Sequence, residues 1–218
     1  STLFPYTTLF RSTNFRAAHT REDQALFGIV QGGVHMDLRL RSLARLEACG
    51  GFPGYGIGGY SVGEDHSTMF ETLAPLASEH MPREKPRYLM GVGNPTTLVH
   101  GVECGIDMFD CVLPTRTARM GCAFSREGRL KLRHARFTRD AAILDEGCDC
   151  PACAAGYTRA YLHHLVKQGE MVGAILLSLH NLRFLLHLME RARTAIIDGS
   201  YASFVRCWDA LPAADKDW

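Results

Sequence analysis

The sequence predicts an α/β fold in which short parallel strands alternate with helices, joined to a C-terminal metal-binding subdomain. Three observations predict it. Apolar runs that end in glycine or proline recur at intervals of roughly 30 residues, the length of a strand-helix unit. Each run is followed by apolar residues at helical spacing. Beyond the last of them, three of the chain's eight cysteines crowd into the six positions 148–153.

The first strand is expected at 25–30, stopping at Gln31-Gly32-Gly33, and the helix after it carries Leu38, Leu43 and Leu46. A second strand at 55–60 leads to a helix with Met69, Phe70, Leu73 and Leu76 on one face. The third is expected at 87–92, and the fourth at 107–113, closed by Pro114. Such repeats imply a parallel sheet covered by helices, either doubly wound or a (β/α)8 barrel, and four units make half a barrel. Half a barrel exposes two sheet edges and part of its core, so further sequence, a partner chain or poor solubility is expected. After Pro114 come a basic loop region, the cysteine cluster, and helices near 157–167 and 181–197. In the last of these, Leu182, Leu185, Leu186, Met189, Ala192 and Ile196 form the expected apolar stripe. Residues 1–14 lack periodicity, read more like translated adapter sequence than a structural element, and are set apart from the fold.

The 218 residues are 46% hydrophobic and 22% charged, ordinary for a soluble globular chain with a sizeable core. The longest apolar stretches, such as 173–179, read as too short to cross a bilayer, and no secretion signal is apparent. The expectation is a cytoplasmic protein with no membrane contact. The net charge of +1 hides an asymmetry. Between Arg116 and Arg139 stand eight Lys or Arg residues and one acid, Glu127, which suits a phosphate-contacting surface as well as a solvated loop.

Cys148, Cys150 and Cys153, with His180 beyond a helix, are three thiolates and an imidazole, the donor set of a closed tetrahedral zinc site. Spacing alone leaves His163 and His164 as rival fourth ligands, and Cys150-Pro-Ala-Cys153 also fits a redox pair. Four protein ligands leave zinc no open position, so its role would be structural and catalysis must lie elsewhere. Asp110 falls near the end of a predicted buried strand, where a carboxylate is costly unless paired or functional. Gln31 and Gly58-Gly59 fall at similar strand ends, where barrel enzymes place their sites. Gly54-Tyr-Gly56-Ile-Gly-Gly59, with Glu79 further on, matches the dinucleotide pattern formally. Its glycines fall inside a strand, which favours close backbone approach to a flat ligand. Gly91-Val-Gly93-Asn-Pro95 is a second glycine-rich turn whose amides could meet a phosphate.

Taken in order, Phe27-Gly-Ile-Val-Gln-Gly-Gly33, Gly58-Gly-Tyr-Ser-Val-Gly-Glu64, Tyr88-Leu-Met-Gly-Val-Gly93, Met108-Phe-Asp-Cys-Val-Leu-Pro-Thr-Arg116 and the Cys148/Cys150/Cys153/His180 set resemble the tRNA-guanine transglycosylase family. The resemblance runs over residues 17–209. It implies the C-terminal half of a (β/α)8 TIM barrel over 15–125 and a zinc-binding subdomain with C-terminal helices over 126–218.

By residue matching, Asp110 would be the nucleophile that attacks the ribose of the wobble guanosine. Gln31, the backbone at Gly59 and Tyr60, and Met90 would hold the incoming 7-deazaguanine base. Gly91, Val92, Gly93, Asn94, Pro95, Thr96 and Thr97 would approach the tRNA backbone, as would basic residues beyond Arg126. The segment Thr115, Arg116, Thr117, Ala118 and Arg119 would meet the anticodon, its two arginines reading bases beside the wobble position. Val62 matches the bacterial form of its motif, implying 7-aminomethyl-7-deazaguanine over queuine. The resemblance further implies one structural zinc per chain and a homodimer. It places the family's acid/base aspartate and a second base-recognising aspartate in the other barrel half, so this chain alone is expected to be inactive. Two rivals are a zinc-stabilised RNA-binding subunit without catalysis, disfavoured by Asp110 and Gln31, and an NAD-dependent oxidoreductase.

Overall fold

A computed structural model describes residues 12–60 and 66–211. The readings that fall on 1–11 and 61–64, Val62 among them, lie outside the described residues. The chain forms two compact units, one of residues 1–93 with 100–111 and the other of 94–99 with 112–218. The domain boundary expected at 125/126 falls within the second unit, in the turn of a hairpin.

In the first unit, β1 (Phe27–Val30), β2 (Gly54–Ile57), β3 (Arg87–Leu89) and β4 (Met108–Phe109) form a parallel sheet in the order β1-β2-β3-β4. Sequential order with every strand parallel is the α/β arrangement expected of successive strand-helix units. Val30, Ile57 and Leu89 are buried beneath α1 (Met36–Ala48), which contributes Leu43 and Leu46, and α2 (His66–Pro75), which contributes Met69 and Leu73. A fully buried leucine of this kind contributes about 1.5–3 kcal/mol. Pro75 has no amide hydrogen to continue α2, and the chain widens there into a π turn, Leu76–His80, closed by the Met81 amide on the Leu76 carbonyl.

The glycines of β2 have a packing cause. A Cβ at Gly54 would lie 2.4 Å from the Phe27 ring, and one at Gly56 would lie 3.1 Å from Met90 Sδ. Both are paired strand residues, which removes the reading of Gly54 to Gly59 as a dinucleotide turn opening a helix.

All four strands are shorter than expected, and the fourth most of all. Asp110 lies beyond β4 and is exposed, so the expectation of a carboxylate in a buried strand is corrected. Pro114 does not close that strand. It occupies the first turn of α4 (Leu113–Arg119), where a missing N–H costs nothing. Between β3 and β4, α3 (Pro95–Glu103) spans the boundary of the two units in sequence.

The second unit holds an antiparallel hairpin of β5 (Cys122–Ser125) and β6 (Gly128–Lys131), then α5 (Pro151–Ala154), α6 (Arg159–Gln168), α7 (Met171–Ile197) and α8 (Tyr201–Asp209). Helix α7 begins ten residues earlier than expected, and the face it buries shares only Leu185 and Ala192 with the expected stripe. Gly173, Leu177, His180, Asn181, Leu185, Leu188, Ala192 and Ala195 face inward. Of the expected stripe, Leu182, Leu186 and Ile196 are exposed. The helix is apolar on two faces, with Val172, Ile175, Leu179, Leu182 and Leu186 forming an outer row at three- and four-residue spacing, so periodicity alone could not select the core side.

This is also the one helix among the described residues long and apolar enough to cross a membrane, which corrects the expectation that every apolar stretch is too short. Its inner face carries the polar pair His180 and Asn181 packed against α4 and the hairpin. Its Arg183 is ion-paired with Asp149 and Glu190. Those contacts mark it as the central helix of this unit.

Candidate active site and metal centre

In a parallel sheet every strand ends at the same edge, so Gln31 after β1, Gly58 to Tyr60 after β2, Met90 and Gly91 after β3 and Asp110 after β4 come together there. The Gln31 carboxamide lies on the Gly58-Gly59 backbone. A Cβ at Gly58 would meet its Nε2 at 2.6 Å, and one at Gly59, where φ is +75°, would meet its Oε1 at the same distance. Glycine at 58 and 59 therefore gives the amide side chain room to lie flat between two strand ends. Met90 is half-buried beside it, over Gly56. Tyr60 is buried, with its hydroxyl on Thr72 Oγ1 at 2.7 Å.

Asp110 is held on one oxygen. The Tyr88 hydroxyl donates to Oδ1 at 2.6 Å and the Gly91 amide donates to the same atom at 2.7 Å. Among the described residues Oδ2 has no partner, so one oxygen orients the carboxylate and the other is open. The Tyr88 hydrogen bond, helped by the Gly91 amide, holds the Asp110 carboxyl below the ordinary carboxylate value. The same bond, with desolvation, pushes the Tyr88 phenol up to about 12. A carboxylate ionised throughout the physiological range, exposed and fixed at a strand end, can act as a nucleophile or as a stabiliser of positive charge. Tyr88 was not singled out from the sequence, although it lies two residues before Met90, the spacing of one strand face.

The glycine-rich turn after β3 differs from expectation. The Gly91 amide is committed to Asp110, and the Thr96 and Thr97 amides to Asn94 Oδ1 at 2.9 and 3.4 Å, so these amides are not free for phosphate. Gly91 is exposed, Asn94 and Thr96 are half-buried, and Val92, Gly93, Pro95 and Thr97 are buried. On α4, Arg116 and Arg119 are exposed three residues apart and Thr115 is half-buried, while Thr117 and Ala118 are buried. Arg126, Lys131, Arg133, Arg136 and Arg139 are exposed, so most of the basic segment is a solvent-facing cationic surface.

The metal centre is built by the second unit alone. Cys148, Cys150, Cys153 and His180 place their ligand atoms within 4.8 Å of one another. His180 Nδ1 lies 3.7, 3.3 and 3.5 Å from the three sulfurs. Those separations fit the N···S edges, about 3.5 Å, of a tetrahedron with the usual zinc–sulfur and zinc–nitrogen bond lengths. His180 is fully buried, and its Nε2 lies 2.7 Å from the Phe124 carbonyl, to which it donates when Nδ1 is the ligand. Pro151 starts the turn of α5, and the Cys153 amide donates to Cys150 Sγ at 3.4 Å, bringing the two sulfurs to one side. Hydrogen bonds from Cys153 and His180 push the Cys150 thiol down to about 3, the direction a thiolate ligand needs, while the Cys150 bond and burial push Cys153 up. Burial opposes charge on His180, but the bonds to Cys148 and Cys150 prevail and raise it to about 9. A divalent ion held by these residues would displace that proton and offset two of the three thiolate charges. The residues fit a structural zinc with no open position.

The rival histidines are used elsewhere. His163 Nδ1 bonds the Leu132 carbonyl, and His164 is exposed on α6. A residue missed in the sequence is Asn181, fully buried next to the ligand His180. Its Oδ1 accepts from the Phe124 amide at 2.9 Å and its Nδ2 donates to the Pro114 and Cys122 carbonyls at 2.9 and 3.1 Å. Two successive residues of α7 thus tie the metal loop and the arginine-bearing α4 to one helix.

The family model described as queuine tRNA-ribosyltransferase matches residues 6–211, beginning inside the N-terminal segment set apart from its sequence. The chain is 55% identical over 192 residues to the queuine tRNA-ribosyltransferase of Pelotomaculum thermopropionicum, covering 87% of this chain and 50% of that protein. It is 52% identical over 210 residues to that of Symbiobacterium thermophilum, covering 93% and 51%, and 54% identical over 189 residues to that of Thermus thermophilus, covering 87% and 48%. The chain spans about half the length of the curated relatives it matches. By its strand-end site, its Cys3His centre and the extent of this match, the chain belongs to the queuine tRNA-ribosyltransferase family.

Proposed function

We propose that the full-length protein carrying this chain exchanges the wobble guanine of a tRNA anticodon for 7-aminomethyl-7-deazaguanine, with Asp110 as nucleophile. The observation that carries this reading is the Asp110 carboxylate, ionised, held on Oδ1 by Tyr88 and Gly91, with Oδ2 open at the strand-end edge. Oδ2 forms a bond to the ribose anomeric carbon as the bond to guanine N9 breaks. The proton for the departing guanine comes from the acid/base aspartate that the family resemblance assigns to the other half of the barrel. The incoming base then gives its N9 proton to that same aspartate, now deprotonated, and bonds to the anomeric carbon, Asp110 leaves as carboxylate, and two inversions retain the configuration.

The same face supports recognition of a flat base. Gln31 offers both an amide donor and an acceptor, Gly59 and Tyr60 offer main-chain groups, and Met90 offers a polarisable face on which a ring stacks. Arg116 and Arg119 would meet the neighbouring nucleotides, and the exposed cations beyond Arg126 would meet phosphates. Zinc, when bound to Cys148, Cys150, Cys153 and His180, supplies a cross-link that fixes the loop and takes no part in bond exchange. The family resemblance also implies a cytoplasmic homodimer, checked by sedimentation of the purified full-length protein.

Incorporation of labelled guanine into an anticodon stem-loop by the full-length protein is the test. Exchange at the wobble position supports the reading. RNA binding without exchange would favour a non-catalytic subunit.

A further inference from the structure

The base-holding turns after β1 and β2 are tied together by a residue that touches neither base nor RNA in this reading. Arg39, on the first turns of α1, is fully buried at 0% exposure. Its Nε donates to the Gly33 carbonyl at 2.6 Å, and both terminal nitrogens donate to the Gly58 carbonyl at 3.2 Å. The guanidinium carbon lies 3.6 Å from the centre of the Tyr60 ring, a close cation–π stack. One planar cation therefore fixes three points: the turn that follows Gln31, the carbonyl that precedes Gly59, and the ring of Tyr60. Burying a guanidinium is costly unless its donors are used, and this one spends them across two strand ends instead of within its own helix.

The turn is shaped to admit it. A Cβ at Gly32 would lie 2.7 Å from both Arg39 Cγ and its main-chain nitrogen, so glycine at 32 lets the arginine stem pass directly under the Gln31 turn. A second buried arginine shows the contrast. Arg87, at the opposite end of the sheet, bonds the Met81, Pro82 and Gly105 carbonyls, none of which borders the strand-end site. The two residues make similar bonds, but only one is joined to the face that would hold the base.

We propose that Arg39 is a positioning residue for base specificity: its guanidinium sets the separation of the Gln31 and Gly59 turns, and so the width of the slot for the incoming base. The proposal rests on the base-binding reading given above. Lysine at this position keeps the charge but cannot span both carbonyls and stack at once.

In the full-length protein, Arg39→Lys should raise the KM for the incoming base roughly tenfold to a hundredfold, the scale of a misplaced contact, while the KM for tRNA moves less than about twofold. Arg87→Lys should leave both constants near wild type even where it lowers the melting temperature to a similar extent. Gly32→Ala drives a methyl into the Arg39 stem without touching its charge and should raise the base KM in the same direction, which keeps the test open if a substitution at 39 fails to fold. Gln31→Ala serves as the reference for base contact. A base KM unchanged by Arg39→Lys and Gly32→Ala but raised by Gln31→Ala overturns the positioning role and leaves the base-binding reading intact. A base KM unmoved by Gln31→Ala overturns the reading itself, and the role of Arg39 with it.

Discussion

The strand-end face of the first unit and the metal centre of the second solve the problem of fixing polar side chains in opposite ways. At the metal centre the four ligands come from one loop and one helix, are buried or half-buried, and converge so that a single ion could be shared by all of them. At the strand ends the residues come from four separate strands, and among the described residues Asp110 is exposed and anchored by only one of its oxygens. The first arrangement commits every ligand residue to one centre and suits support. The second keeps one oxygen open and suits chemistry. Rigidity in one unit and incomplete satisfaction in the other are what a scaffold and a reacting site respectively require.

Substitutions that attack each region should therefore fail differently. Cys150→Ser should have the largest effect: zinc content, about one per chain in the parent, should fall towards zero, and the second unit should lose its cooperative unfolding transition. Metal analysis with thermal melts checks this, and an unchanged zinc content would break the contrast. Asn181→Ala should cost about 2–4 kcal/mol in denaturant melts, because it strands the Phe124 amide and the Cys122 carbonyl in a buried site, yet leave zinc bound.

Tyr88→Phe should barely move stability and act instead on pH dependence. Asp110 is depressed mainly by the Tyr88 hydroxyl, so its stabilisation is present above the ordinary carboxylate value of 3.8 and is lost as pH falls through the lower folded value. Removing the hydroxyl should shift the acid limb of the reaction to higher pH, as a pH–rate profile would show. Conversely, Tyr88 is raised from 10.0 to about 12, so its contribution is present below 10 and lost as pH climbs through about 12. The smallest effect is expected of Arg119→Ala, which should lower the salt dependence of tRNA binding by about one ion in a titration from low to moderate salt.

Much of this architecture was legible because it is periodic or local. The strand-helix repeat places Gln31, Gly59 and Asp110 near strand ends without any contact being known, and the three clustered cysteines announce a metal. What escaped depends on partners distant in sequence. Tyr88 meets Asp110 across 22 residues, Arg39 meets Gly58 across 19 and Asn181 meets Phe124 across 57. Helix α7 starts at Met171, ten residues before the expected 181, and takes Gly173 into its first turn. In the fold that glycine allows close packing, since a Cβ there would lie 3.0 Å from Leu165 Cβ. The short β4 and the helical Pro114 show the same limit: a proline marks a boundary but not which side of it the element lies on.

The central claim is that Asp110 becomes covalently bonded to the RNA, and trapping that bond tests it most directly. The full-length protein and its Asp110→Asn variant would be incubated with an anticodon stem-loop and resolved under denaturing conditions. The parent should give a protein–RNA band that disappears when the incoming base is added, and the variant should give none while still binding the RNA. An undiminished band from the variant would contradict the account and move the nucleophile to another residue.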